Sequence, residues 1–188
     1  MIRYGHRMSK DIDLFFSDPQ LLRDVSPTVN DALEDIMADY VDDHLFKRYV
    51  MPDGKIDFIK GNPVTELEPQ FLEFENRIIY TDSPVEIVAK KIFYRSEDFR
   101  VRDVFDQAVV LLNGGEDDLA VFCENHPEQT TFALEQTLKR IKDGSLDIGL
   151  ADLDVLPPGE EARQLCGQIV SDFFLKVIPR SKRPKFSL

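Results

Sequence analysis

The sequence predicts an α+β fold, with a small mixed β-sheet early in the chain and a helical bundle late. Two observations predict it. Up to about residue 82, β-prone runs alternate with Pro, Gly and Asn turn signals, and from Ser83 onward apolar residues recur at helical spacing. The first strand is Asp11-Ile12-Asp13-Leu14-Phe15-Phe16, in which side chains at alternate positions share a face. Asp11 and Asp13 therefore point one way together, and Ile12 and Leu14 are expected in a core.

Asp18-Pro19 is an N-cap followed by proline at the first helical position, and Ser26-Pro27 repeats the device ahead of a longer segment reaching Val41, so two helices are expected here. Residues 45–51 and 55–60 flank Pro52-Asp53-Gly54 and read as a hairpin. A further β region spans 70–80 with its turn at Glu75-Asn76. Ser83-Pro84 then caps a helix carrying Val85, Val88, Ala89, Ile92 and Phe93 on one face, with Lys90, Lys91 and Arg95 partly on the others. A second helix covers 101–112 and ends at Asn113-Gly114-Gly115. Helices follow over 117–124, 127–142 and, behind Pro157-Pro158-Gly159, 160–177. The expected organisation is an α/β core over 1–82, a helical region over 83–178 packing on it, and a basic tail over 179–188, where Pro179 and Pro184 discourage regular structure.

A formal net charge of −12 argues against broad nucleic-acid binding through a uniformly basic surface. Local basic clusters remain: Arg3, Arg7 and Lys10; Lys90, Lys91, Arg95, Arg100 and Arg102; and Arg180, Lys182, Arg183 and Lys185. With 43% hydrophobic residues the chain can build an ordinary globular core, and no run approaches the ~18–20 apolar residues that span a bilayer. Met1-Ile2-Arg3-Tyr4 leads straight into a polar segment, unlike a signal peptide. Cys123 and Cys166 lie far apart among apolar neighbours, which fits buried, reduced thiols and a cytoplasmic protein with no membrane partner. His6, His44 and His126 supply no zinc spacing.

Two carboxylates side by side on a strand suit a divalent metal. Spacing alone does not single out Asp11 and Asp13, because Asp152-Leu153-Asp154, Glu73-Phe74-Glu75 and Glu66-Leu67-Glu68 share it, and solvated carboxylates on an edge strand or loop are its ordinary meaning. Context does, since only the first pair follows a small, polar and basic run (Gly5, His6, Arg7, Ser9, Lys10) and precedes Leu14-Phe15-Phe16. Asp57, inside Lys55-Ile56-Asp57-Phe58-Ile59, is a charge within an apolar strand and needs a partner or a metal unless its face is exposed. If Asp11, Asp13 and Asp57 converge, they form a hard-cation site suited to Mg²⁺ or Mn²⁺, where metals could bridge a nucleoside triphosphate and neutralise a leaving pyrophosphate.

Three blocks, in this order, carry a resemblance: Gly5-His6-Arg7-Met8-Ser9-Lys10-Asp11-Ile12-Asp13-Leu14-Phe15; Lys55-Ile56-Asp57-Phe58; and Val85-Glu86-Ile87-Val88-Ala89-Lys90-Lys91-Ile92-Phe93-Tyr94-Arg95 with Arg102-Asp103-Val104-Phe105-Asp106. Together they resemble the AbiEii-type nucleotidyltransferase toxins, a branch of the polymerase-β-like nucleotidyltransferase superfamily. The resemblance implies metal-dependent transfer of a nucleoside monophosphate from an NTP, with tRNA as an acceptor in known relatives, and a cognate antitoxin or phage-defence setting. It implies that Asp11, Asp13 and Asp57 bind metal and serve catalysis, Asp57 as base for the acceptor hydroxyl. Ser9, Lys91 and Arg95 would bind nucleotide, with Lys91 on phosphate, and Arg102, Asp103 and Asp106 would match the family's basic-Asp-x-x-Asp signature as supporting residues. Against this stand two plainer roles, Asp103 favouring a helix N-terminus and Asp106 pairing with Arg102.

Relatives carry a Gly-Gly or Gly-Ser turn and a helix ahead of the aspartate pair, and the turn's N–H groups help cradle the triphosphate. Here Gly5 stands four residues after Met1, and Ile2-Arg3-Tyr4 resembles the last turn of that helix, so the chain is expected to be truncated ahead of it. Two alternatives are a catalytically degenerate protein of the same fold that binds an antitoxin or another subunit, and an enzyme of this type with a small-molecule or protein acceptor.

Overall fold

The computed structural model describes residues 3–29, 37–179, 181 and 183. The chain divides into two compact units, one formed by Ser9–Pro63 and the other by Met1–Met8 with Val64–Leu188. Residues 64–82 thus group with the helices.

The smaller unit holds β1 (Asp11–Phe16), α1 (Pro19–Asp24), β2 (Asp39–Asp42), β3 (Phe46–Met51) and β4 (Gly54–Lys60). The sheet is mixed, in the order β1-β4-β3-β2, with β1 parallel to β4 and the other pairs antiparallel. The hairpin expected around Pro52-Asp53 closes with Met51 opposite Gly54. Gly54 is required there, because a Cβ would stand 1.8 Å from the backbone oxygen of Lys10 as β1 draws alongside. Asp18 caps α1 by accepting from Gln20 N at 2.8 Å, with Pro19 opening the helix as expected.

Two expectations fail in this unit. The helix expected to run to Val41 gives way to β2, where Tyr40 and Val41 pair with Tyr49 and Arg48; β-branched and aromatic side chains fit a pleated surface better than a helix. Residues 30–36 of that segment lie outside the described residues. Ile12 and Leu14, expected in a core, are 53% and 40% exposed. They share a face with Phe16 and Phe58, whose rings stack at 6.0 Å, and with the buried Tyr49. A six-residue helix spans only ~9 Å, and α1, with Leu22 buried, leaves the start of β1 uncovered among the described residues.

The larger unit contains β5 (Gln70–Phe74) and β6 (Arg77–Thr81), a separate two-stranded ribbon, and six α-helices among the described residues: α2 (Pro84–Arg95), α3 (Val101–Leu112), α4 (Glu116–Asn125), α5 (Pro127–Lys142), α6 (Ser145–Ala151) and α7 (Glu160–Val177). Glu75 and Asn76 form the ribbon's turn with φ of 48° and 61°, the left-handed values a tight hairpin demands. Ser83 Oγ caps α2 by accepting from Glu86 N at 3.0 Å. The core joins Val88, Ala89 and Ile92 of α2, Val104, Phe105, Ala108 and Val109 of α3, and Cys166, Val170 and Phe174 of α7. Helix α6 was not anticipated; its seven residues are too few to establish a helical period. Cys123 and Cys166 are free and buried, and burial pushes each thiol up to about 12. No helix among the described residues is long and apolar enough to cross a membrane. Of the segment Ile2-Arg3-Tyr4, Ile2 lies outside the described residues, as does most of the tail over 179–188.

Candidate functional site

In the smaller unit, strand register sets the carboxylates in place. Parallel pairing puts Asp11 beside Lys55 and Asp13 beside Asp57, so Asp11, Asp13 and Asp57 occupy one face of two adjacent strands. Asp11 and Asp13 are exposed, and Ser9 Oγ reaches the backbone oxygen of Asp11 at 3.4 Å. Asp57 is different. Across the hairpin its partner is Arg48, whose Nε donates to Oδ1 at 2.7 Å and whose second guanidinium nitrogen donates to Oδ2 at 2.6 Å. The Asp57 side chain is 13% exposed and that of Arg48 38%. The bond to Asp57 raises the Arg48 pKa against the opposing effect of burial, and the charges of Asp57, Asp11 and Asp13 raise it further. One guanidinium thus sits in the field of all three carboxylates.

Exposed oxygen donors at alternate positions of a strand fit a Mg²⁺ or Mn²⁺ ion, which takes hard ligands and keeps part of its water shell. Asp11 and Asp13 meet that requirement. Asp57, with both oxygens engaged, would join only by loosening Arg48, and among the described residues no group of three or more His, Cys, Asp or Glu side chains is placed to hold a metal.

In the larger unit, Lys91 and Arg95 of α2 meet Asp103 and Asp106 of α3 in a buried ion cluster. Asp106 accepts from Arg7 Nε at 2.7 Å and from its terminal nitrogen at 2.8 Å, bonds His6 Nε2 at 2.8 Å, and is contacted by Lys91. Lys91 Nζ also stands 3.3 Å from Asp103, and Arg95 bonds Asp103 directly. Burial alone would raise the Asp106 pKa; the Lys91 charge and the hydrogen bonds from Arg7 and His6 outweigh it and hold the carboxyl well below its usual range. Asp103 does serve a helix N-terminus, accepting from Arg100 N at 3.1 Å. Asp106 does not pair with Arg102, which among the described residues forms no ion pair.

Several partners were not anticipated. His6 and Arg7, read as the lead-in to the aspartate strand, serve Asp106 one hundred residues on. Short antiparallel contacts hold them there: Met8 N donates to Asp154 O at 3.0 Å and Leu156 N to His6 O at 2.9 Å. The backbone oxygen that accepts from Met8 belongs to Asp154 of the look-alike pair Asp152-Leu153-Asp154, whose two aspartates are exposed. Glu86 carries no feature in sequence beyond its helix, yet its buried carboxylate clamps Val64 N and Thr65 N, both at 2.9 Å. Arg48 was legible in principle: it stands as far before the Pro52-Asp53 turn as Asp57 stands after it.

A mixed sheet bearing paired carboxylates, in a chain that continues into helices, places this protein among the nucleotidyltransferase-like α+β proteins. The model of the family described as nucleotidyl transferase AbiEii toxin, type IV toxin–antitoxin system, matches residues 1–163, and the chain belongs to that family. Nothing among curated proteins, and nothing among solved structures, matches the chain.

Proposed function

We propose that the protein transfers a nucleoside monophosphate from an NTP to an acceptor hydroxyl, in a divalent-metal-dependent reaction, as the toxin of a toxin–antitoxin pair acting in the cytoplasm. The observation that carries this reading is the register that aligns Asp13 with Asp57 and sets Asp11 two residues away on the same face. The acceptor oxygen attacks the α-phosphorus, the bond to the bridging oxygen of the β-phosphate breaks, and pyrophosphate leaves with that electron pair. Asp11 and Asp13 would hold Mg²⁺, which supplies charge neutralisation on the phosphates and the leaving group. Asp57 would take the hydroxyl proton. Lys91 and Arg95 are candidates for phosphate contact, and Asp103 and Asp106 orient them. RNA is the acceptor class to test first, tRNA in particular.

A second reading has one observation in its favour. Arg48 occupies both oxygens of Asp57, which suits a protein of this fold that binds an antitoxin or another partner without turnover. Incubation with α-labelled NTPs, Mg²⁺ and total tRNA, with parallel tubes lacking RNA, separates the two. Label on RNA that requires Mg²⁺ and disappears in Asp13→Asn supports the transferase. Absence of label on RNA or protein with every NTP supports the binding protein.

A further inference from the structure

We propose that Arg48 is a built-in placeholder for the metal cation: it neutralises Asp57 in the metal-free protein and is displaced from that carboxylate when a divalent ion binds at Asp11 and Asp13. The proposal rests on the metal-dependent reading above and adds to it a residue that governs how the metal is taken up.

The geometry is that of a lock. Asp13, Asp57 and Arg48 lie at one level across three consecutive strands, so the guanidinium approaches Asp57 from the side opposite Asp13. Two short, charge-assisted bonds occupy both oxygens. Each oxygen keeps a second lone pair, but an ion placed there would face a fixed positive charge, because arginine does not shed its proton. Lysine or histidine could yield by deprotonation; Arg48 can yield only by moving. Its side chain is placed to do so, being the more exposed partner, whereas Asp57 is held in an interior strand of the sheet. The Phe46 ring, its centroid 5.7 Å from the guanidinium carbon, offers a neighbouring cation–π surface.

This lock also has a physical reason to exist. Three carboxylates on adjacent strands repel one another, and like charges side by side in a sheet are destabilising. A resident cation lets the sheet form before metal arrives. Metal affinity is correspondingly reduced by the work of breaking the pair.

The test is titration of Mn²⁺ alone into the full-length protein, reading free Mn²⁺ by its paramagnetic resonance signal, for wild type, Arg48→Gln, Asp57→Asn, the double variant and Asp11→Asn. Arg48→Gln is expected to bind Mn²⁺ about five- to tenfold more tightly than wild type, the scale of a partly exposed ion pair. The gain should vanish when Asp57→Asn is the background, because no pair remains to break. Arg48→Lys, which keeps the charge and loses the fork, should fall between and serves if Arg48→Gln does not fold. Equal or weaker binding by the Arg48 variants overturns the proposal, as does a gain that persists undiminished beside Asp57→Asn, which would mark a general field effect. If wild type binds Mn²⁺ and Asp11→Asn does not, those outcomes remove the placeholder and leave the metal site standing. If no variant binds Mn²⁺, the metal-dependent reading falls and the placeholder with it.

Discussion

Two regions of this protein are built from the same residue types and put them to opposite uses. In the larger unit, Asp103 and Asp106 are buried and surrounded by His6, Arg7, Lys91 and Arg95. In the smaller unit, Asp11 and Asp13 are exposed, and a single arginine faces Asp57 across the hairpin. Burial decides the difference. A carboxylate withdrawn from water must be fully partnered or its desolvation is not offset, and the partners of Asp106 are locked in turn by the core around α2 and α3. Carboxylates left in water on a strand edge keep capacity to exchange ligands. The first arrangement holds its cationic side chains in fixed positions, and the second is suited to pick up and release an ion.

The largest effect is expected at the buried cluster. Asp106→Asn leaves Arg7 and Lys91 without their shared counter-charge and should cost about 3–5 kcal/mol of stability, read by urea unfolding. Because the folded Asp106 pKa lies well below its unfolded value near ~3.9, the carboxylate's contribution is fully present above that value and is lost as pH falls through the folded pKa. The stability difference between wild type and Asp106→Asn should therefore be constant near neutrality and shrink only in acid. A gap that already shrinks between pH 8 and 6 would contradict the role given to the Asp106 carboxylate.

A smaller effect separates the regions from the other side. Gly54→Ala pushes a methyl into the Lys10 carbonyl and must displace the start of β1, at about 1–3 kcal/mol. Mn²⁺ binding should weaken, since Asp11 follows directly on Lys10, while the thiols of Cys123 and Cys166 stay protected from modification. Loss of that protection would show that the two units unfold together. The smallest effect on stability belongs to Asp11→Asn, an exposed substitution expected within ~0.5 kcal/mol of wild type.

How far the sequence discloses this arrangement depends on how local each signal is. The capping serines and aspartates, the Pro52-Asp53 and Glu75-Asn76 turns and the helical period of α2 and α3 are local, and each is found where the residues predict it. Failures occur where a distant segment decides. Tyr40 and Val41 became strand because β3 was there to pair with, and Ile12 and Leu14 are exposed because, among the described residues, α1 is too short to cover the start of β1. The carboxylate spacing was visible, but it recurs at three other places in the chain and did not by itself single out the pair on β1. His6 and Arg7 meeting Asp106 needed the fold, since no local pattern links positions a hundred residues apart. Arg48 meeting Asp57 needed only the hairpin register, and counting outward from the turn would have found it.

The proposed transfer depends on the exposed pair on β1. Its most direct measurement is the rate of label transfer from an α-labelled NTP by Asp11→Asn, taken on protein whose melting temperature has been checked against wild type. An unchanged melting temperature is expected, with a rate reduced at least ~100-fold, the scale on which removing one charge-stabilising group acts. A rate within twofold of wild type in the same folded variant would contradict it.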